Sequence, residues 1–539
     1  MLKHFLPTLI AILISIQSFG QANTVKSEIS EAQKKRYFSG VIGVVGEDSE
    51  GYYVLRTKSQ GFFLAFIPIG VKIKLYLDYY SHDMKLLKST IMEGITIKTY
   101  GRTKNSYEFC AQDQNENLYV FYSKRLDGHT VLLKSKLNKS TFRFEKPEKI
   151  SKLRNEKKRG RQGSFELLRS DDENKYAIVS VSKSSNKDQT NINIDYLDKD
   201  FNKVSSKEEV LRFNINDIRG KGDKGNSNGD RKSVSDMKLS NAGDLILLAT
   251  TVRENKFFKA TIFDFHLVSV SENKNQASYK KINFEGNVPI SATIANSNTK
   301  SGELRCLGFY STEKNYAVDG IYSVDFNPEN LDIKETDFKK FNSQQIEDFL
   351  VSETKPNEKV RRRDRRIRKR IAKNKEVKIK SFFIREQYVF DDQSYTLVAE
   401  EYYITTSTTR DANGNMTTTT YYHYNDLVYI HINKSGNIEW VKNVNKSQVS
   451  SSPVNLGTYN FENETYIYSL YNDFSEKRIV LTSISKSGDV AFKTIGELRR
   501  RSELGKYPAK IYSFRLVEKN EVIGFANRSR KGKMIRLKL

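Results

Sequence analysis

The stretch DDENKYAIVSVSKSSNKDQTNINIDYLDKDFNKV, residues 171–204, decides the fold. A polar turn leads into an alternating run, a polar loop follows, a second alternating run returns, and a turn of Asp, Lys and Asn closes the unit. Alternation with period two is the mark of a strand with one buried face, and two such runs around a short polar loop read as a hairpin. The same grammar recurs at 113–140, 241–271, 302–330, 391–437 and 463–489. It opens at 47–85 with EDSEGYYVLRTK and VKIKLYLDYYSHDMK, and closes at 519–539 with KNEVIGFANRSRKGKMIRLKL.

Eight hairpins of this kind run along the chain. A repeat of this size that cannot bury its faces alone predicts a stack of like units. Flanking stretches such as FRFEKPEKI and SFELLRS supply an outer and an inner strand to each hairpin. The chain therefore resembles the β-propellers in general, across residues 23–539, as a single all-β domain. Eight blades follow from the repeat count, seven is the close alternative, and a tandem of sandwiches is the other architecture considered. The WD dipeptide and the Kelch double glycine are missing, so no named subfamily and no functional residues follow. A strand near KKRYFSGVIGVVG (34–46) is expected to complete the last blade, because an open ring leaves unpaired edges.

The first 22 residues read as a secretory signal: Lys3, an apolar run from Phe5 to Ile16, then the small residues Ser18, Gly20 and Ala22. That run is shorter than the roughly 20 apolar residues a membrane-spanning helix needs. No later window is apolar enough to span. Export to the periplasm or the outer-membrane surface is expected, in preference to full secretion. Cys110 and Cys306 fall in different repeats and read as two buried thiols.

The net charge is +25. In a cytosolic chain this would point to nucleic acid, but an exported chain meets other polyanions, so nucleic acid is disfavoured and an acidic protein or envelope component, including an outer-membrane protein, is the expected partner. The cations cluster. VRRRDRRIRKRIAKNK (360–375) holds ten Arg and Lys, among them Arg361, Arg362, Arg363, Arg365, Arg366, Arg368, Lys369 and Arg370. Lys157, Lys158 and Arg159 follow the second repeat, RGKGDKGNSNGDRK (219–232) the third, and Arg499, Arg500 and Arg501 the seventh. In a propeller all these connections emerge on one face, together with the loops RENK (253–256) and NRSRKGK (527–533). The acidic turns at 47–50, 171–174 and 391–392 belong to the other. Residues 342–376 read as a helical basic insertion, with Asn342 and Gln345 in capping-box spacing and Val360, Ile367 and Ile371 on a narrow stripe broken by Asp364. Such a charge density predicts a helix ordered by an acidic partner. Residues 405–422 read as a long Thr-rich hairpin around Arg410, Asp411, Asn413 and Gly414, with an Asn-Gly turn.

Chemistry is harder to find. His82, His129, His266, His423 and His431 show no metal-ligand spacing, GNSNG around Ser227 lacks the strand and helix of a nucleophile elbow, and Asp411, Asn413 and Asn415 lack the closing Glu of a calcium loop. No catalytic residue, metal or cofactor is nominated. Carboxylate pairs at Asp391/Asp392 and Glu400/Glu401 are too common to name a glycosidase. The expectation is a non-catalytic propeller that binds an envelope macromolecule through its basic face, as an accessory or occluding subunit of an outer-membrane channel. The competing expectation is a carbohydrate-active or polysaccharide-binding propeller, which would gather aromatics and carboxylates at the axis.

Overall fold

The computed structural model describes residues 25–539 apart from 32, 35–38, 65–66, 97–104, 127, 155–163, 185, 187, 214–236, 256–259, 297–301, 313–316, 353–357, 374–376, 380–381, 519 and 529–530. The signal segment, the basic stretches 155–163 and 219–232, and Ser227 lie outside these residues. The described strands form eight antiparallel sheets in chain order, and the fold is a propeller. The innermost strands are Ser39–Asp48, Asn105–Gln112, Ser164–Arg169, Met237–Leu239, Thr293–Asn296, Phe382–Val389, Tyr459–Glu462 and Arg515–Glu518, in blades 1 to 8.

What makes these sheets a ring is the placement of apolar side chains. Eight hydrophobic clusters are present, and each lies between two successive blades. Tyr53, Leu55 and Leu77 of blade 1 meet Leu118 and Val120 of blade 2. Ala177, Val179 and Ile194 of blade 3 meet Leu245, Leu247 and Val268 of blade 4. The last cluster joins Tyr52, Val54 and Tyr80 of blade 1 to Ile523, Phe525 and Met534 of blade 8. Adjacent residues therefore serve opposite wedges: Leu247 faces blade 3, while Ile246 and Leu248 face blade 5. This corrects the expectation of one buried face per strand. Central strands such as Leu304–Ser311 are buried along their whole length, and clean alternation appears on outer strands such as Lys203–Leu211.

Closure comes from a segment earlier than expected. Lys26–Ile29 pairs antiparallel with Lys531–Lys538, Lys26 opposite Lys538 and Ile29 opposite Ile535, and Gln33–Lys34 extends the pairing. Most of the 34–46 stretch instead forms the innermost strand of blade 1. Ion pairs pin the joint: Arg536 Nε donates to Glu28 Oε2 at 2.9 Å, and Lys538 Nζ lies 3.3 Å from Glu28 Oε1. Val25 is buried against blades 7 and 8.

Strand direction divides the loops between two faces. One face carries the loops between second and third strands and the crossings to the next blade; we term it the insertion face. The opposite, turn face carries short hairpin turns of one recurring kind. Asp113, Asp198 and Asn433 each accept backbone N–H groups two and four residues on, and a residue with positive φ (Glu116, Phe201, Gly436) completes the turn. Helix α1 (Ser343–Leu350) begins with the expected reciprocal capping of Asn342 and Gln345, and wedges Phe349 between blades 5 and 6. Helix α2 spans Glu358–Ile371.

Removal of residues 25–31 strips the partner from Lys531–Lys538. The expected outcome is a loss of about 3 kcal/mol or more, from one buried valine and the broken ladder, with concentration-dependent self-association through the exposed edge. Denaturant titration and size-exclusion chromatography against the intact chain check both.

Candidate active site at the junction of two blades

The site starts from an irregularity. The innermost strand of blade 6 pairs with Tyr395–Arg410, and its register shifts between Ile384 and Glu386, leaving Arg385 as a bulged residue. A one-residue slip exchanges the two faces of a strand. Before the bulge, Phe382 and Ile384 pack toward blade 5; after it, Tyr388 packs toward blade 7. Glu386 follows Tyr388. On blade 7, Phe461 faces blade 8, which turns Asn460 and Glu462 toward blade 6.

Glu386 and Glu462 therefore flank Tyr388 in the wedge between blades 6 and 7, each near enough for its charge to reach the Tyr388 hydroxyl. Burial raises the Tyr388 hydroxyl well above its usual range, and the charges of Glu386 and Glu462 raise it further. Glu462 forms no ion pair among the described residues, and burial alone pushes its carboxyl up to about 7. Asn460 is anchored through a relay in which Tyr429 donates to Ser469 at 2.7 Å and Ser469 donates to Asn460 Oδ1 at 2.7 Å. Tyr459 sits on the other face of the same strand, where the charges of Arg515 and Glu386 both reach it, and its hydroxyl accepts from Leu516 N at 2.6 Å. Arg515 is exposed on the innermost strand of blade 8. Phe383, 40% exposed, adds an aromatic to the axial lining.

On the turn face the same two blades border a cleft of about 1120 Å³, lined by Asp391, Asp392, His431, Glu439, Glu464 and Asp489 among others. All four hairpin turns of blades 6 and 7 contribute. His431 is buried, its Nδ1 lies 2.9 Å from Thr396 Oγ1, and its Nε2 lies 3.7 Å from Glu439 Oε2. Its ring stacks on Trp440 with centroids 5.1 Å apart. Burial lowers the His431 pKa, which keeps the imidazole neutral at pH 7. Lys486 holds Asp392 well below the usual carboxylate range.

Toward the insertion face the wedge is closed by buried polar side chains. Glu400 lies between Lys446, which donates to Oε1, and Arg385, whose Nε donates to Oε2 at 2.9 Å. Lys446 also reaches Gln448 at 3.2 Å; Gln448 donates to Asn472 O at 2.8 Å, and Asn472 donates to Ala509 O at 2.8 Å. This chain of contacts runs from blade 6 through blade 7 to blade 8. Beside it, Arg363 Nη1 of α2 meets Asp426 at 2.8 Å, and its Nε lies 3.4 Å from Asp364. Burial raises Asp426 and Glu401 above the usual carboxylate range.

The positions singled out by sequence distribute as follows. Arg362, Arg365, Arg366, Arg368, Lys369 and Arg370 are exposed on α2, and Arg499, Arg500 and Arg501 are exposed in the crossing from blade 7 to blade 8, both on the insertion face. The side chain of Arg361 and the stretch with Lys157, Lys158 and Arg159 lie outside the described residues. The helix does not wait for an acidic partner to dock: Asp364, expected to interrupt the buried stripe, is 5% exposed, and Arg363 and Arg368 reach Asp426 and Glu347 of the chain itself. In the hairpin, Thr408 and Thr418 hydroxyls meet at 3.0 Å across the strands as expected. Its tip is a five-residue turn instead of a two-residue one: Arg410 pairs with Met416, Asp411 accepts from the backbone of Asn413 and Asn415, and Gly414 takes φ 84°. Neither cysteine is disulfide-bonded; Cys306 is buried, and burial raises Cys110 to about 12. Sequence reasoning missed Glu386 and Glu462. Neither sits in a motif, and a register slip is not written in residue spacing.

No family model and no curated protein matches the chain. Among solved structures it aligns with the Dos1 propeller at 6% identity over 94% of both chains, TM-score 0.42. It also aligns with a cobalt-substituted Synechocystis apocarotenoid oxygenase at 10% identity over 89% of this chain and 95% of that one, TM-score 0.36. A chimera of that oxygenase with RPE65 gives 8% identity over 89% and 94%, TM-score 0.36. These similarities carry over no substrate or residue. Several of these neighbours are oxygenases, against the expectation of a non-catalytic subunit, which is not retained. Among the described residues no three His, Cys, Asp or Glu are grouped to hold a metal. No helix among the described residues is long and apolar enough to cross a membrane.

A carboxyl whose folded pKa is raised contributes stability below its unfolded pKa and loses it as pH rises through the folded value. For Glu462 that window runs from about 4.5 to about 7. Glu462→Gln is therefore expected to unfold at higher denaturant than the parent at pH 8, the difference shrinking toward pH 4.5. Paired urea titrations across that range check it; a gap independent of pH would place the Glu462 carboxyl in water.

Proposed function

We propose that the chain is an enzyme that performs acid–base chemistry on a polyhydroxylated, carbohydrate-type substrate at the junction of blades 6 and 7. The observation that carries this reading is that Glu462 and Glu386 flank Tyr388 in one wedge, both near enough for their charges to reach its hydroxyl. A carboxyl held near neutrality by burial is suited to give a proton to a leaving oxygen, and a second carboxylate facing it is suited to activate water or to stabilise developing positive charge. Here Glu462 is the proton donor and Glu386 the second carboxylate. Phe383 offers an exposed flat face of the kind sugar rings rest on, and Asn460 and Arg515 offer donors for hydroxyl groups. The aromatic and carboxylate side chains on these innermost strands support the carbohydrate-active reading. The apolar run at 5–16 supports action outside the cytoplasm.

The test is turnover of a panel of soluble glycans by the parent, Glu462→Gln and Glu386→Gln. Each substitution is expected to lower kcat by about 10²–10⁴-fold, the usual contribution of a positioned acid or base. The parent should lose activity as pH rises through about 7, where Glu462 deprotonates. Activity retained in both variants would remove the pair from the mechanism.

A further inference from the structure

A second concavity lies on the insertion face, away from the carboxylate pair. Phe474, Leu498 and Pro508 form its apolar floor, Lys477, Arg499, Arg500 and Lys506 surround it, and its volume is about 460 Å³. That is within the roughly 300–1,000 Å³ of small-molecule sites. The four cations come from two segments brought together by the fold: the loop between the second and third strands of blade 7, and the crossing from blade 7 to blade 8.

The crossing is held in place. Ser502 Oγ donates to Glu497 O at 2.5 Å and accepts from Gly505 N at 3.1 Å and Arg499 N at 3.3 Å, while Leu504 is fully buried in the wedge below. Lys477 closes its own loop with φ 55°, an uncommon conformation for a residue with a side chain, and its carbonyl accepts from Leu498 N at 2.6 Å. The backbone thus fixes where the cations start. Lys477, Arg500 and Lys506 form no ion pair among the described residues, and Arg499 has only a 3.5 Å contact to the half-exposed Glu497. An exposed pair of that length holds a guanidinium weakly. Phe474 is 37% exposed although it floors a hollow instead of filling a core.

We propose that this hollow binds an alkyl phosphate monoester, its aliphatic chain on Phe474, Leu498 and Pro508 and its phosphate among the four cations. Charge complementarity selects an anion, because four cations and no acidic residue line the hollow. The apolar floor selects a ligand with a hydrocarbon body, since a free anion would leave that surface wet. Arginine forks suit a phosphate's several oxygens better than a single carboxylate would use them.

The test is isothermal titration calorimetry of the full chain with monomeric dodecyl phosphate, inorganic phosphate and dodecyl maltoside. One-site binding of dodecyl phosphate is expected, with inorganic phosphate and dodecyl maltoside each at least tenfold weaker. Arg499→Gln combined with Arg500→Gln should weaken dodecyl phosphate by tenfold or more, and Phe474→Ser by about fivefold, with thermal melts confirming that both variants fold. Equal affinity for inorganic phosphate would make this a bare anion site and overturn the proposal. Equal affinity for the maltoside, no binding of dodecyl phosphate, or unchanged binding by the variants would overturn it too. Because these residues do not touch Glu386 or Glu462, the outcome is independent of the glycan assays.

Discussion

The pairing of Lys26–Ile29 with Lys531–Lys538 is the constraint on which the molecule depends. No blade has a core of its own. Every apolar cluster is shared between two neighbours, so each sheet is stable only while both flanking sheets are present. A linear array of such sheets would leave its first and last faces wet, including Tyr52, Val54, Ile523 and Phe525. Joining a strand from one end of the described chain to the sheet at the other end hides those faces and removes the free edge of the last strand. The Glu28 pairs with Arg536 and Lys538 then fix the register at the one seam that chain connectivity does not enforce.

Within the ring, blades 6 to 8 share a connected set of buried polar groups. Their wedges contain the Glu400, Lys446 and Arg385 cluster and the amide relay through Gln448 and Asn472. Such groups are costly to bury, and removing one partner of a buried pair typically destabilises by about 3–5 kcal/mol. An apolar wedge would be at least as stable, so stability alone does not account for the cluster. Its consequence is geometric. Arg385 reaches Glu400 from the bulge, and the bulge is what turns Glu386 toward Glu462. The buried charges thus hold in place the irregularity on which the carboxylate pair depends.

The repeat was legible because each hairpin carries its own turn chemistry: Asp113, Asp198 and Asn433 announce their turns in one residue. The helical insertion was legible through Asn342 and Gln345, and the Thr ladder through its monotony. The closing strand was not, because KSEI (26–29) is short and polar and acquires its role only from Lys531–Lys538 far along the chain. Asp364 was misread because its burial is set by Arg363 and Asp426, a tertiary contact that helical periodicity does not contain. The carboxylate pair was invisible for the same kind of reason. Glu386 and Glu462 are 76 positions apart (462 minus 386) and reach the same tyrosine, Tyr388, only because two innermost strands are neighbours in a ring.

The charge of +25 raises a question about Glu462, since a positive field favours the ionised form of a carboxyl. Magnitudes answer it. A unit charge roughly 20 Å away contributes about 0.2 kcal/mol in water, and salt reduces that further beyond a Debye length of about 8–10 Å. One pKa unit corresponds to about 1.4 kcal/mol. The arginines of α2 and of the 499–501 turn stand on exposed loops, where screening is strongest. Burial acts on the carboxyl itself and is not screened. The local term therefore prevails, and the exposed cations of these loops leave the buried Glu462 carboxyl with its proton near neutral pH.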